Sequence, residues 1–234
     1  LYQYLSINNK LAFINLEDSI QVQKAADLKF FSFGIKKENA DVNIIDVKAN
    51  PFVEINFSNL IIKSHLIGLY NANNINAALT IGKYFGVDDI AIKEGLESYI
   101  PENNRSQLLS KGTNQIILDA YNANPSSMKV AIENFLQLDN PNKIMILGDM
   151  FELGDASTQE HLEVLKLLLD KNEIQCFFIG SAFYANKTVT THFHFYETFD
   201  SFSEYLKEIK IVNSVVLIKG SRGMALERTL QFFS

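Results

Sequence analysis

The 234-residue sequence holds one cysteine, Cys176, so no disulfide can form within the chain and a reducing compartment is implied. Cys176 lies in the run Ile174-Gln-Cys-Phe-Phe-Ile179, the setting of a buried strand residue rather than a nucleophile. No apolar run reaches the roughly eighteen residues that a membrane-crossing helix needs. The one long stretch, Phe52 to Ile62, is interrupted by Glu54, Asn56 and Asn59, so membrane insertion is not expected. Basic charge is also scarce: 21 Lys and Arg stand against 27 Asp and Glu, a formal charge of −6. Binding nucleic acid through a broad face needs clustered Lys and Arg, so that class is excluded, although a few local donors can still hold a nucleotide. Leu1 opens directly into Leu-Tyr-Gln-Tyr-Leu with no basic leader and no initiating Met. A cytoplasmic chain cut from something longer is the expectation. A phosphate loop is missing too. Gly112-Thr-Asn-Gln115 begins like one but lacks the Gly-Lys-Thr that should follow, and reads as a hairpin turn.

What is present divides near residue 101. Before it, Leu11-Ala-Phe-Ile-Asn15 and Phe30-Phe-Ser-Phe-Gly-Ile35 are of strand length, and Val42 to Ile67 alternates loosely, with turns at Asn50-Pro51 and Ser58-Asn59. A β-meander is expected there. Helices are expected over Asn71–Phe85, closed by Gly86, and from Asp88-Asp89 to about Tyr99. The polar segment Ile100-Pro-Glu-Asn-Asn104 then marks a boundary. After it, apolar strands ending in Asp119, Gly148, Gly180 and Gly220 alternate with helices. That order predicts an α/β fold: a Rossmann-like domain with a mostly parallel sheet over 101–234, preceded by a smaller unit of strands plus helices over 1–100. Pro125 suits a first helical position, and Ser157-Thr-Gln-Glu160 and Ser201-Phe-Ser-Glu204 have the spacing of capping boxes. The helix after Ser157 should bury Leu162, Leu165, Leu168 and Leu169.

In open parallel sheets, ligands gather beyond the carboxyl ends of the strands. Four such ends carry polar chemistry here. Asp119-Ala-Tyr-Asn-Ala-Asn-Pro125 offers a carboxylate able to accept both hydroxyls of a ribose, followed by Tyr121, Asn122 and Asn124. A helix cap explains Asn124 alone but not the other three together. Gly148-Asp-Met-Phe-Glu-Leu-Gly154 is a strand end with two carboxylates, also consistent with a generic loop, and His161 beyond it reads as a surface or capping residue. Lys219-Gly-Ser-Arg-Gly223 supplies charge and open amides for a carboxylate or phosphate, or simply a basic turn. Gly180-Ser181 reads as a plain loop. Before the boundary, Asn71 and Asn74 fall one helical turn apart, so both amides face one side. An Asn amide matches the N6/N7 edge of adenine. Capping would account for Asn71 but leaves Asn74 unexplained.

Together these residues resemble the Mur ligase family, and within it the D-alanyl-D-alanine-adding type. The resemblance rests on Tyr121-Asn-Ala-Asn-Pro-Ser-Ser-Met128, Gly148-Asp-Met-Phe-Glu-Leu-Gly154 with His161, Lys219-Gly-Ser-Arg222, and Asn71-Ala-Asn-Asn74-Ile-Asn-Ala-Ala78. It runs the length of the chain. Departures are Asn104 before Arg105, where the family has Gly, and Tyr70, where it has His or Phe. The resemblance implies the tail of a central ATP-binding domain over 1–100 and the family's C-terminal domain over 101–234. It implies an amide ligase using ATP and Mg2+ to join D-alanyl-D-alanine to UDP-N-acetylmuramoyl-tripeptide in peptidoglycan synthesis. The phosphate loop, the magnesium ligands and the UDP-sugar domain would belong to upstream domains of the same protein. No catalytic residue or metal ligand is therefore assigned within this chain. By resemblance Asn71 and Asn74 contact adenine, Arg105 lies near the nucleotide, Asp119 holds the ribose, and Tyr121, Asn122 and Asn124 line the cleft. Lys219 and Arg222 are candidates for the dipeptide carboxylate on charge and position. A folylpolyglutamate synthetase-like ligase shares the architecture but not these motifs. A non-catalytic nucleotide-binding module is the alternative from another class.

Overall fold

The computed structural model describes residues 1–102 and 104–233; Asn103, part of the polar boundary segment, and Ser234 lie outside them. The chain forms two compact units, Leu1–Ile100 and Pro101–Ser234.

The first unit opens with α1 (Tyr2–Ile7), β1 (Leu11–Asn15), α2 (Ser19–Lys24), β2 (Lys29–Ile35) and β3 (Val42–Ile44). These three strands pair in parallel in the order β1-β2-β3. The expected meander therefore starts later, with β4 (Asp46–Ala49), β5 (Phe52–Phe57) and β6 (Leu60–Ile67) in antiparallel order. Strict alternation buries Val53, Ile55 and Phe57 of β5. Ser58 and Asn59 both take positive φ, 48° and 63°, as a tight two-residue hairpin requires. Helix α3 (Ala72–Tyr84) lays Ile75 and Leu79 on the core shared by both sheets, joined by Ile92 of α4 (Asp89–Ser98). Asp88 caps α4, and Gly86 follows α3 at φ 73°. Helices α1 and α2 were not expected. Neither buries a residue fully; α1 rests Tyr2 and Leu5 against Ala12 and Ile14, and Asp18 caps α2 through the amides of Ile20 and Gln21.

The second unit begins with a hairpin, β7 (Gln107–Lys111) and β8 (Asn114–Asp119), turning on Gly112 at φ 56° as expected. Helix α5 (Pro125–Leu136), β9 (Lys143–Gly148), α6 (Ser157–Leu168), β10 (Gln175–Ile179), α7 (Ser181–Ala185), β11 (Phe193–Tyr196), α8 (Phe199–Glu208) and β12 (Val215–Lys219) follow. The sheet order is β11-β10-β9-β12-β8-β7, parallel throughout except β7. The chain leaves β8, passes over one position to β9, steps outward to β11, then returns to insert β12 between β8 and β9. Every residue of β12 is buried, as a strand covered on both faces must be. Phe199, Phe202 and Leu206 of α8 and Leu226 cover one face through Ile146, Phe177, Val216 and Ile218.

Four local expectations are corrected. Ser157 is the first residue of α6 and caps nothing, because a 3-10 turn over Gly154–Ala156 leads directly into the helix. That helix buries His161, Val164, Leu165 and Leu168, while Leu169 is half exposed at its end. Ser201 lies inside α8, whose cap is Thr198, accepting from the Ser201 amide. Gly180-Ser181 is no plain loop: it opens α7.

Candidate functional site

In the second unit the parallel register sets Lys219 of β12 directly beside Asp119 of β8. The Lys219 Nζ donates to Asp119 Oδ2 at 2.6 Å and to the Asn122 carbonyl at 3.3 Å, with the lysine side chain only 2% exposed. The other oxygen, Asp119 Oδ1, accepts the Ser106 amide at 3.1 Å. Next to this pair the Arg105 guanidinium stacks over the Tyr121 ring at 3.8 Å, and the Tyr121 amide donates to the Asn104 carbonyl. Both side chains are exposed. Thus Arg105, Asp119, Tyr121, Asn122 and Lys219 are brought together at one strand end. Asn122 is exposed, its Oδ1 accepting the Ala123 amide. Asn124 caps α5: its Oδ1 accepts from Ser127, whose hydroxyl accepts the Asn124 amide in return.

Lys219 is thus sealed away from any solute, contrary to its expected place on a dipeptide carboxylate. Arg222, by contrast, is 60% exposed and paired with Glu227 at 3.0 Å.

The remaining strand ends are tied to this one. Ser221 donates its amide to the Asp149 carbonyl, and its hydroxyl accepts the Phe151 amide at 2.8 Å. The buried Asp149 carboxylate accepts the amides of Ala182 and Phe183, at 2.9 and 3.0 Å, fixing the start of α7. Gly180 must be glycine there, since a Cβ would lie 2.3 Å from the Asp149 carboxylate. His161 is fully buried rather than at the surface. Its Nδ1–H donates to the Ser157 carbonyl at 2.7 Å and its Nε2 accepts the Met150 amide at 3.0 Å, the neutral tautomer. His161, Ser106 and Ser221, all buried, therefore shape the rim from behind, and Asp149 does so at its edge. Asp149 and Ser221 stand inside motifs legible in the sequence, but their partners are remote in the chain. A cavity of about 260 Å³ runs along this rim, between Asp149, Phe151, Ser181, Thr198, Gly223 and Arg228.

In the first unit, Asn71 does not cap α3. Its Nδ2 donates to the Ile67 carbonyl at 2.7 Å and its Oδ1 accepts from Asn74 Nδ2 at 3.1 Å. The buried Asn71 therefore orients the exposed Asn74. Asn74 borders two hollows: a polar one of about 590 Å³ with Asn15, Glu17, Asp18 and Asn73, and an apolar one of about 360 Å³ with Ile75, Leu96 and Tyr99. Asn15, at the carboxyl end of β1, donates to Asn73 and was not anticipated. Among the described residues no three His, Cys, Asp or Glu side chains converge on a point that could hold a metal ion. No described helix is long and apolar enough to cross a membrane.

The family described as "Mur ligase, glutamate ligase domain" matches residues 104–222. This chain belongs to the Mur ligase family. A UDP-N-acetylmuramoyl-tripeptide–D-alanyl-D-alanine ligase of Bacillus subtilis is 33% identical over 176 residues, covering 71% of this chain and 38% of that protein. A crystal structure of MurF from Acinetobacter baumannii superposes with a TM-score of 0.75 at 26% identity, covering 95% of this chain and 51% of that one. The MurF ligase of Thermotoga maritima, solved with ADP, shares the fold at a TM-score of 0.75 and 24% identity, over 96% of this chain and 53% of that one. The chain spans less than half the length of the curated relatives it matches first.

Proposed function

We propose that this chain is part of an ATP-dependent ligase that joins D-alanyl-D-alanine to UDP-N-acetylmuramoyl-tripeptide in peptidoglycan precursor synthesis in the cytoplasm. On this reading residues 1–100 are the tail of the central ATP-binding domain and 101–234 the C-terminal domain. The observation that carries it is the group Arg105, Asp119, Tyr121 and Lys219 at the carboxyl rim of a parallel sheet, within a chain of the Mur ligase family. Ligands collect at such rims where strand order reverses, here around the inserted β12.

The reaction has two steps. The tripeptide carboxylate attacks the γ-phosphorus of ATP, giving an acyl phosphate and ADP. The dipeptide amine then adds to the acyl carbon, and the tetrahedral intermediate expels inorganic phosphate as the amide forms. Asp119 accepts ribose hydroxyls, and Asn74, held by Asn71, meets the adenine edge. Arg105, stacked on Tyr121, places positive charge near the phosphates, where charge gathers in both steps. Asn122 edges the cleft, while the Asn124 side chain is taken up by the cap of α5. Arg222 remains the exposed candidate for the dipeptide carboxylate. Magnesium, held by residues outside this chain on this reading, would supply positive charge to offset that of the phosphates.

The test is phosphate release by the intact enzyme with ATP, UDP-N-acetylmuramoyl-tripeptide and D-alanyl-D-alanine. Release should require all three. Release that is indifferent to D-alanyl-D-alanine but stimulated by glutamate would overturn the assignment in favour of a folylpolyglutamate synthetase-like ligase.

A further inference from the structure

The position of Lys219 gives it a different task from the one its charge first indicates. It is a long cation sealed inside the sheet end, and a buried ammonium is costly unless paired and hydrogen-bonded. Its partners are Asp119 Oδ2 and the Asn122 carbonyl, so it grips both ends of the segment that leaves β8. The Ser106 amide holds the opposite oxygen of the same carboxylate. An ionised carboxylate has roughly four acceptor directions, and these two contacts use one on each oxygen. The directions left are those a vicinal diol can occupy.

We propose that Lys219 is a positioning residue of the nucleotide site: it orients Asp119 toward the ribose and makes no contact with the dipeptide. This rests on the ribose reading of Asp119 and adds to it a residue that acts only through that carboxylate. Lys219 also begins the loop that Ser221 ties to Asp149, Phe151 and Ala123. Seating of the ribose carboxylate and placement of the 219–224 loop are therefore linked.

The measurement is discrimination between ATP and 2′-deoxy-ATP in the intact enzyme, by equilibrium titration and by steady-state kinetics, for wild type, Lys219→Met, Lys219→Arg and Asp119→Asn. Wild type should prefer ATP by about tenfold or more, the range for losing a hydrogen bond to a charged acceptor. Lys219→Met should lose most of that preference and raise the KM for ATP, while the KM for D-alanyl-D-alanine stays within about twofold. Lys219→Arg should restore part of the preference, which a role in general stability would not predict. A Lys219→Met enzyme that keeps full discrimination, or that weakens the dipeptide instead, overturns the proposal while leaving Asp119 in place. A wild type that does not discriminate, with an unaffected Asp119→Asn, overturns the ribose reading itself. Should Lys219→Met not fold, Asp119→Asn and the Asp119→Asn/Lys219→Met double variant decide the point. Equal discrimination in the two supports action through Asp119, and a further loss in the double variant refutes it.

Discussion

Single residues at the rim are held by contacts that leave little latitude. Gly180 has φ 125°, a region closed to side chains, and the Asp149 carboxylate fills the place of its Cβ. Gly180→Ala must move that carboxylate off the amides of Ala182 and Phe183. We expect a loss of at least about 1–3 kcal/mol, by analogy with overpacked cores, read as a lower denaturation midpoint. A midpoint unchanged from wild type would show that the loop yields without cost. Cys176 makes a simpler case: burial pushes its thiol up to about 12, with Glu173 adding to the shift. The thiolate, the reactive form, is therefore scarce at pH 8. A thiol reagent at that pH should leave the folded chain unlabelled and label it fully in denaturant. Rapid labelling of the native chain would contradict the buried position.

At the scale of elements, caps and strand ends decide how the rim is built. Asn124 is the clearest separation of structure from function, since its side chain is committed to the first turn of α5. Asn124→Ala should cost about 1 kcal/mol of stability and change the KM for ATP little. A large rise in that KM with unchanged stability would return Asn124 to the cleft. The sequence offered this cap as the alternative to a place in the cleft, because Pro125 suits the first helical position. It misplaced two others for a physical reason. Ser-x-x-Glu spacing also occurs inside a helix, and only the backbone shows that the turn before Ser157 is already helical and that Thr198 takes the cap instead of Ser201. His194 shows an element under a pH constraint. Desolvation against Phe177, then repulsion from His192, lowers its pKa. The unfolded chain therefore binds the extra proton more readily, so this contribution is complete above the unfolded value and fades as pH falls through it. His194→Gln should flatten the loss of stability as pH falls below about 6.5, the ordinary imidazole value, as followed by thermal melts.

For the whole molecule, a strand's place at the edge or in the middle of its sheet sets how well it is protected. Among the described strands β1 pairs only with β2 and is an edge of its parallel sheet, whereas β12 is flanked on both sides. Amides of Leu11–Asn15 should exchange with deuterium faster than those of Val215–Lys219. Equal protection would mean that the β1 edge is covered in solution. The 234 residues contain no Gly-x-x-x-x-Gly-Lys-[Ser/Thr] loop, the usual cradle for a triphosphate. We expect the chain by itself to bind ATP weakly, through Asn74 and Asp119, and to release no phosphate in response to D-alanyl-D-alanine. Phosphate release by the purified chain would refute that.

The sequence alone determined the alternation of strand and helix after residue 101, because apolar runs of strand length and helical periodicities are local signals. It also determined the motif residues Asp119, Tyr121 and Lys219, because each stands at the end of an apolar run. It did not reveal β11 or the helices α1 and α2, whose segments are too short to carry a period. Only the tertiary structure decided what the polar residues do. The insertion of β12 between β8 and β9 sets Lys219 against Asp119, a hundred residues away in sequence. That turns an apparent ligand cation into a buried support. The same packing brings His161 inward onto the Met150 amide. Charge and position along a chain cannot show whether a side chain points to solvent or to a neighbour, since that depends on which strands the fold makes adjacent.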